Sequence, residues 1–251
     1  MAGARRGVVA RLQRQVARLE RAAPARAGRF CLAVDAVDEA LGDGLASAAL
    51  HEVVGASDGV GTGFAAWLAA RRAGADGIVL WCGAWLPYPP GLRAFGLDPV
   101  RLVCVAGRRP EDRLWAMEEG LKSGRPAVVV ARLDRLDLTA SRRLQLAAEA
   151  GGVTAIALRP PQSRLAPTAA ATRWLVAPAP SRPTEGYAGV GATRWRVDLQ
   201  RCRGGRPRHW LMEWDDASST VHLAAEVADR PLEPGLAAPE ERATGKRAAI
   251  A

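Results

Sequence analysis

Hydrophobic positions in this chain come as short unbroken runs separated by stretches of helical period. Residues 50–54 (LHEVV) form the first run and end at Gly55. A glycine-rich turn and an apolar helix over residues 63–72, with Phe64, Trp67 and Leu68, follow it. Further runs lie at 77–82 (GIVLWC), 101–106 (RLVCVA), 127–131 (AVVVA) and 153–158 (VTAIAL), with helical patterns at 111–122 and 140–150. Continuous apolar strands alternating with helices predict a mostly parallel sheet covered on both faces. After residue 192 the period changes to two. Residues 194–202 (RWRVDLQRC) and 209–214 (HWLMEW) alternate around GGRP at 204–207. This predicts a β-hairpin that extends the sheet in antiparallel fashion. In the helix at 140–150, Asp137 or Thr139 is the expected cap, with Leu144 and Leu146 inside.

The flanks differ from this core. Residues 5–21 predict an amphipathic helix, with Val9, Leu12, Val16 and Leu19 on one face and Arg11, Arg14, Arg18 and Arg21 on the other. Such an N-terminal helix suits packing with a solvated basic face. It also suits docking onto a partner or neighbouring protomer, and non-specific nucleic-acid contact. Residues 177–192 are rich in proline and glycine and read as a loop. Residues 229–251 mix Pro, Ala, Gly and charge without period, the composition of a disordered tail. The expected organisation is an arm at 1–29, a core at 30–228 and a tail at 229–251.

The chain has 251 residues and a net charge of +9. Residues 1–29 hold eight arginines and one acid, whereas 30–107 hold four bases and eight acids. A whole-chain excess therefore does not describe one basic surface. Cys31, Cys82, Cys104 and Cys202 are widely spaced without a CxxC pair, which argues against a zinc site and a secreted disulfide framework. No apolar run reaches the length of a membrane span, and the arginine-rich start leads into no signal core. The cytoplasm is the expected compartment.

The first strand and helix frame HEVVGASDGVGTGFAAWLAA from His51 to Ala70, the outline of a phosphate loop. That loop needs a lysine for the β/γ-phosphates and a hydroxyl on magnesium. Counted from Gly55, Val60 stands where glycine belongs, Gly61 where lysine belongs and Thr62 at the hydroxyl position. Gly59, Gly61 and Gly63 do not make a dinucleotide fingerprint either, because Phe64 fills its last position. At the end of the AVVVA run Ala131 and Arg132 stand in place of a magnesium-organising aspartate. After GIVLWC, Gly83 and Ala84 stand in place of a water-activating glutamate. Three vacant positions predict no ATP hydrolysis, no cofactor and no catalytic residue. Gly55, Gly59, Gly61 and Thr62 remain only the residue of a phosphate loop. His51, His209 and His222 have no nucleophile at a recognisable spacing.

Three groups of residues suit contact with DNA or a partner. The hairpin carries Arg194, Arg196, Arg201, Arg203, Arg206 and Arg208 interleaved with Trp195, Trp210 and Trp214. Arginines on phosphates with rings stacked on bases is one reading; tryptophans in the core with arginines in water is the other. Arg132, Arg135, Arg142 and Arg143 form a second basic group. Trp85 and Tyr88, near the rigid PYPPG, are candidate partner contacts, while Trp81 fits the core.

The blocks LHEVVG, GIVLWC, PYPPGLRAFGLDPVRLVCVAG, DRLWAMEEGLKSGRPAVVVARL, DLTASRRLQLAAEAGGVTAIALRP and RWRVDLQRCRGGRPRHWLMEW resemble the bacterial ImuA family over residues 50–214. That resemblance implies a degenerate RecA-like core. It further implies an accessory protein of DNA-damage-induced, error-prone translesion synthesis. The implied partners are an ImuB-type inactive polymerase-like protein and, through it, a specialised replicative-type DNA polymerase, with RecA and DNA as further contacts. It also places the second basic group near where recombinases begin their DNA-contacting loops. The alternatives are a RecA-like ATP-binding protein with residual ATPase activity through the Gly55–Thr62 segment and a single-stranded-DNA-binding or recombinase-modulating protein. Self-association is compatible with either reading.

Overall fold

The computed structural model describes residues 28–161, 165–181, 189 and 191–225. The candidate docking residues Val9, Leu12, Val16 and Leu19 and the tail 229–251 lie outside the described residues. The chain opens with a two-stranded antiparallel ribbon, β1 (Arg29–Phe30) and β2 (Leu45–Ala46), around helix α1 (Asp35–Leu41). The main sheet then begins at β3 (Leu50–Gly55) and continues through α2 (Asp58–Ala73), β4 (Val79–Gly83), α3 (Pro89–Arg93) and β5 (Leu102–Ala106). Next come α4 (Pro110–Lys122), β6 (Val128–Arg132), α5 (Leu138–Gly151), β7 (Thr154–Arg159) and β8 (Thr172–Pro178). Three strands close it: β9 (Arg194–Cys202), β10 (Arg208–Asp215) and β11 (Thr220–Ala225).

These strands form one nine-stranded sheet in the order β11-β10-β9-β8-β3-β7-β6-β4-β5. The six from β8 to β5 are mutually parallel, and β9, β10 and β11 add on antiparallel. The fold is therefore the α/β architecture that the periodicity predicts, with the hairpin as its extension. β8 and β11 escape the periodicity because TRWLVAP carries an arginine at its second position and TVHLAA is short and interrupted by a histidine.

Burial explains the two-faced design. Alternate residues of the central strands divide between the layers. Val53, Val130, Ile156 and Leu158 pack with α2, while Leu50, Val129, Ala155 and Ala157 pack with α4 and α5. The hairpin tryptophans belong to the first layer. Trp195, Trp210 and Trp214 are buried, and Phe64 of α2 meets Trp195 edge-on at 5.6 Å between ring centroids. Phe95 touches both Trp195 and Trp214 at 5.6 Å, and Trp174 lies 6.2 Å from Trp210. Edge-to-face and tilted pairs at such spacings add about 0.5–1.5 kcal/mol each beyond area burial. The rings are the clamp between α2 and the antiparallel extension, so the core reading holds for them, and Trp81 is buried as expected.

Two expectations need correction. Leu144 is buried, but Leu146 is 64% exposed. Two residues turn a helix by about 200°, so both cannot face the sheet. Asp137 is the cap of α5, accepting the Ala140 N–H at 2.7 Å. The second correction concerns the glycine-rich turn, which is not a turn. α2 starts at Asp58, so Gly59, Gly61, Thr62 and Gly63 are all helical.

Candidate functional site

Ligands of parallel α/β sheets bind outside the carboxyl ends of the strands. Here that end is occupied by the chain's own side chains. β3 passes into α2 through Ala56 and Ser57 alone. A Cβ on Gly55 would lie 2.7 Å from the Gly61 backbone nitrogen and Cα, and one on Gly61 would lie 2.9 Å from Leu158 Cδ1. The two glycines therefore serve close strand-helix packing rather than an anion cradle. The Gly61 N–H, which a phosphate loop would aim at a ligand, donates to Ser57 O at 3.1 Å.

The helix terminus carries its own anion. Asp58 sits in the first turn of α2, where the helix dipole favours negative charge. Arg132, at the end of β6, donates to Asp58 Oδ1 at 2.7 Å and lies 4.0 Å from Asp134. A polyphosphate entering here would face the Asp58 carboxylate and would have to displace Arg132 from it. Thr62 is half-buried inside the helix.

Arg113, on α4 and only 3% exposed, ties the neighbouring strand ends together. Its guanidinium donates to Gly107 O at 3.2 Å and Arg108 O at 3.1 Å after β5, to Arg132 O at 2.9 Å at the end of β6, and to Asp134 at 2.6 Å. A single buried cation thus spends four of its five N–H donors on two loops.

On the α5 side of the sheet, Glu52 is fully buried in the middle of β3. It accepts from Arg173 Nε at 2.6 Å and from Thr168 Oγ1 at 2.6 Å. Arg173 also donates to Ala166 O at 2.7 Å. Arg159, at the end of β7, shares this interior; burial lowers its pKa, the Glu52 and Asp134 charges oppose that, and Arg173 adds to it. The network holds residues 165–171 over the sheet where no helix covers it. Buried charges persist only when paired in this way. A glutamate inside LHEVVG and an arginine inside TRWLV are the signals for it, because a charge in a central strand needs a buried partner. β3 and β8 pair with Glu52 directly beside Arg173.

The hairpin arginines separate into two kinds. Arg194 binds its cross-strand partner Glu213, with Nε at 2.6 Å. Arg201 donates to Ala170 O at 2.8 Å and Arg203 to Ala169 O at 3.0 Å, both lacing the same 165–171 segment. Arg196 is half-buried, while Arg206 and Arg208 are exposed around the turn. Arg142 is exposed, and Arg143 bridges from α5 to Glu118 of α4 at 2.7 Å. Trp85 and Tyr88, in the segment that follows β4, are 85% and 75% exposed. The hairpin arginines do not converge with this aromatic pair, since β4 lies near one edge of the sheet and β9 and β10 near the other.

Nothing here resembles a metal centre: among the described residues no three His, Cys, Asp or Glu side chains gather. His51 is buried, 2.8 Å from both Thr172 Oγ1 and Ala46 O, and burial lowers its pKa to about 4. It pins the β1–β2 ribbon to the sheet. Among the described residues no helix is long and apolar enough to cross a membrane.

No protein-family model matches the chain. It is 36% identical over 210 residues to Protein ImuA of two Caulobacter vibrioides strains, NA1000 / CB15N and ATCC 19089 / CIP 103742 / CB 15, spanning 76% of this chain and 86% of each relative. With that identity over that share of both proteins, the chain belongs to the ImuA family.

Proposed function

We propose that this protein is a non-catalytic accessory subunit of the DNA-damage-induced translesion-synthesis machinery, holding a polymerase-like partner of the ImuB type and, through it, a specialised replicative-type polymerase. The observation that carries the reading is the Asp58–Arg132 pair, at 2.7 Å, across the place where a RecA-like ATPase would bind phosphate. With that place closed from within and no lysine between Met1 and Leu121, the core runs no nucleotide cycle. What remains is binding. Trp85 and Tyr88 stand out as partner contacts, because exposed amphipathic rings are the usual anchors of interfaces. Family membership supports the same reading, and the protein works in the cytoplasm, at the nucleoid when its partners engage DNA.

Co-purification of the full chain with the polymerase-like partner, with and without DNA, tests this. Association is expected in both conditions; its absence in both refutes the proposal. A direct DNA contact is favoured by Arg206 and Arg208, the exposed cations of the hairpin. Neutralising both should weaken single-strand binding and flatten its salt dependence.

A further inference from the structure

Between Asp198 and Glu213 the chain carries no acid, and it carries Arg201, Arg203, Arg206 and Arg208 there. These bases flank the turn between β9 and β10. Thr172, the first residue of β8, pairs with Cys202. The turn therefore lies at the amino end of the parallel strands, away from the Asp58–Arg132 pair at their carboxyl end. A Cβ on Gly205 would lie 3.1 Å from Ala40 O, so the turn is seated against α1. Gly28, where the described chain begins, belongs to the same corner. Its carbonyl accepts the Ser47 N–H at 2.8 Å, and Arg29 beside it donates from Nη1 to Leu41 O at 2.9 Å, at the end of α1.

The bases of this corner are partly balanced by acids. Residues 29–46 hold Arg29 against Asp35, Asp38, Glu39 and Asp43, and residues 199–212 hold the four hairpin arginines. Packed against them are Arg71, on Cys31 O, and Glu149, 3.8 Å from Arg203. The excess comes from residues 1–27, with seven arginines and the single acid Glu20. Within the turn, Arg201 and Arg203 are held by carbonyls of residues 169–170. Arg206 and Arg208 are exposed, and no carboxylate among the described residues pairs with them. The hairpin tryptophans are absent from this surface, because Trp195, Trp210 and Trp214 are all buried. Stacking on bases needs exposed rings, so the turn holds a nucleic acid by its phosphates alone. Phosphate contact follows charge density, and a duplex carries one charge per about 1.7 Å of axis against about 3.4 Å for one of its strands.

From this we infer that the β9–β10 turn and the arginine-rich segment ahead of Gly28 together grip the phosphate backbone of double-stranded DNA at the amino end of the sheet, in preference to a single strand. Taking DNA as the polyanion rests on the accessory role above; the choice of duplex rests on the buried rings. Exposed Asp35, Glu39 and Asp43 beside the turn repel phosphate, so Arg206 and Arg208 are its contacts. Trp85 and Tyr88 follow β4 at its carboxyl end, so DNA gripped here leaves them open to a protein partner.

The test is the salt dependence of binding. A fluorescent DNA duplex of about 20 base pairs and one of its strands are titrated with the full chain by anisotropy, between about 50 and 300 mM salt. The duplex should bind tighter than the strand. Each arginine–phosphate contact on a duplex adds about 0.9 to the slope of log affinity against log salt. Arg206→Gln with Arg208→Gln should therefore lower that slope by roughly 1.8, and joint glutamine replacement of Arg11, Arg14, Arg18 and Arg21 by up to about 3.6. Arg206→Lys with Arg208→Lys keeps the charges and should keep the slope, while far-UV circular dichroism and the thermal midpoint report folding. Arg125→Gln removes an exposed arginine at the same end of the sheet but before β6, four strands and about 19 Å from β9, and should leave the slope unchanged. Equal or tighter binding of the single strand, no binding of either DNA, or an unchanged slope in either folded glutamine variant overturns the inference. Co-purification with the polymerase-like partner in the absence of DNA separates the two proposals. If wild type fails to hold the partner, the accessory role fails, and the slopes still decide the grip. If wild type holds it while the glutamine variants keep the wild-type slope, the accessory role stands and the grip fails.

Discussion

The carboxyl end of β3 and β6 and the outer edge of β5 lie in the same sheet and have been treated in opposite ways. Where nucleotide enzymes keep an open mouth, this chain sets ion pairs of its own, Asp58 on Arg132 and Arg113 on Asp134. At the edge, among the described residues, no strand pairs with the outer side of the apolar β5.

The sheet interior beside that end can be broken most severely from Arg173. Arg173→Ala strands the fully buried Glu52 without its cation, and loss of one partner of a buried pair costs about 3–5 kcal/mol. Urea unfolding should show that loss as a lower midpoint.

His51 sets the next largest effect. Its folded-state pKa, near 4, lies below the unfolded value near 6.5, so the unfolded chain binds the extra proton between those values. Stability should be constant with respect to this group above pH 6.5 and fall by roughly 3 kcal/mol as pH drops from 6.5 toward 4. Thermal midpoints of His51→Gln, measured across the same range, should lack that component.

Gly55→Ala sharpens the comparison at the mouth. Its methyl would press the Gly61 backbone at 2.7 Å, and overpacking of this kind costs about 1–3 kcal/mol. A stabilised or unaffected variant would mean the strand-helix contact is looser than described. Arg201→Ala, which frees the Ala170 carbonyl, should cost about 1 kcal/mol, whereas Arg206→Ala in the turn should change stability by less than about 0.5 kcal/mol. At the edge, Val103→Thr should be neutral within the same margin, because the side chain is half exposed and the strand bears little of the fold.

The parallel sheet was legible because its strands are buried on both faces and leave unbroken apolar runs. The hairpin was legible because Trp195, Val197 and Leu199 face one way. α2 was misread at its start for a physical reason. Glycines at 59, 61 and 63 have poor helix propensity, and only the tertiary approach of Gly61 to Gly55 makes helix the better state there. The hairpin arginines looked alike in sequence. Their difference lies in which carbonyls sit opposite Arg201 and Arg203, and those carbonyls come from residues 169–170, some 31–34 positions away. The edge character of β5 was invisible as well, since RLVCVA has the composition of a central strand and only the strand order leaves it outermost.

The most direct measurement is the equilibrium dissociation constant of the full chain for the proposed polymerase-like partner, determined with and without magnesium ATP. A closed mouth and a docking role predict saturable association with the same constant in both conditions. No association, or a constant that nucleotide shifts tenfold or more, would contradict it.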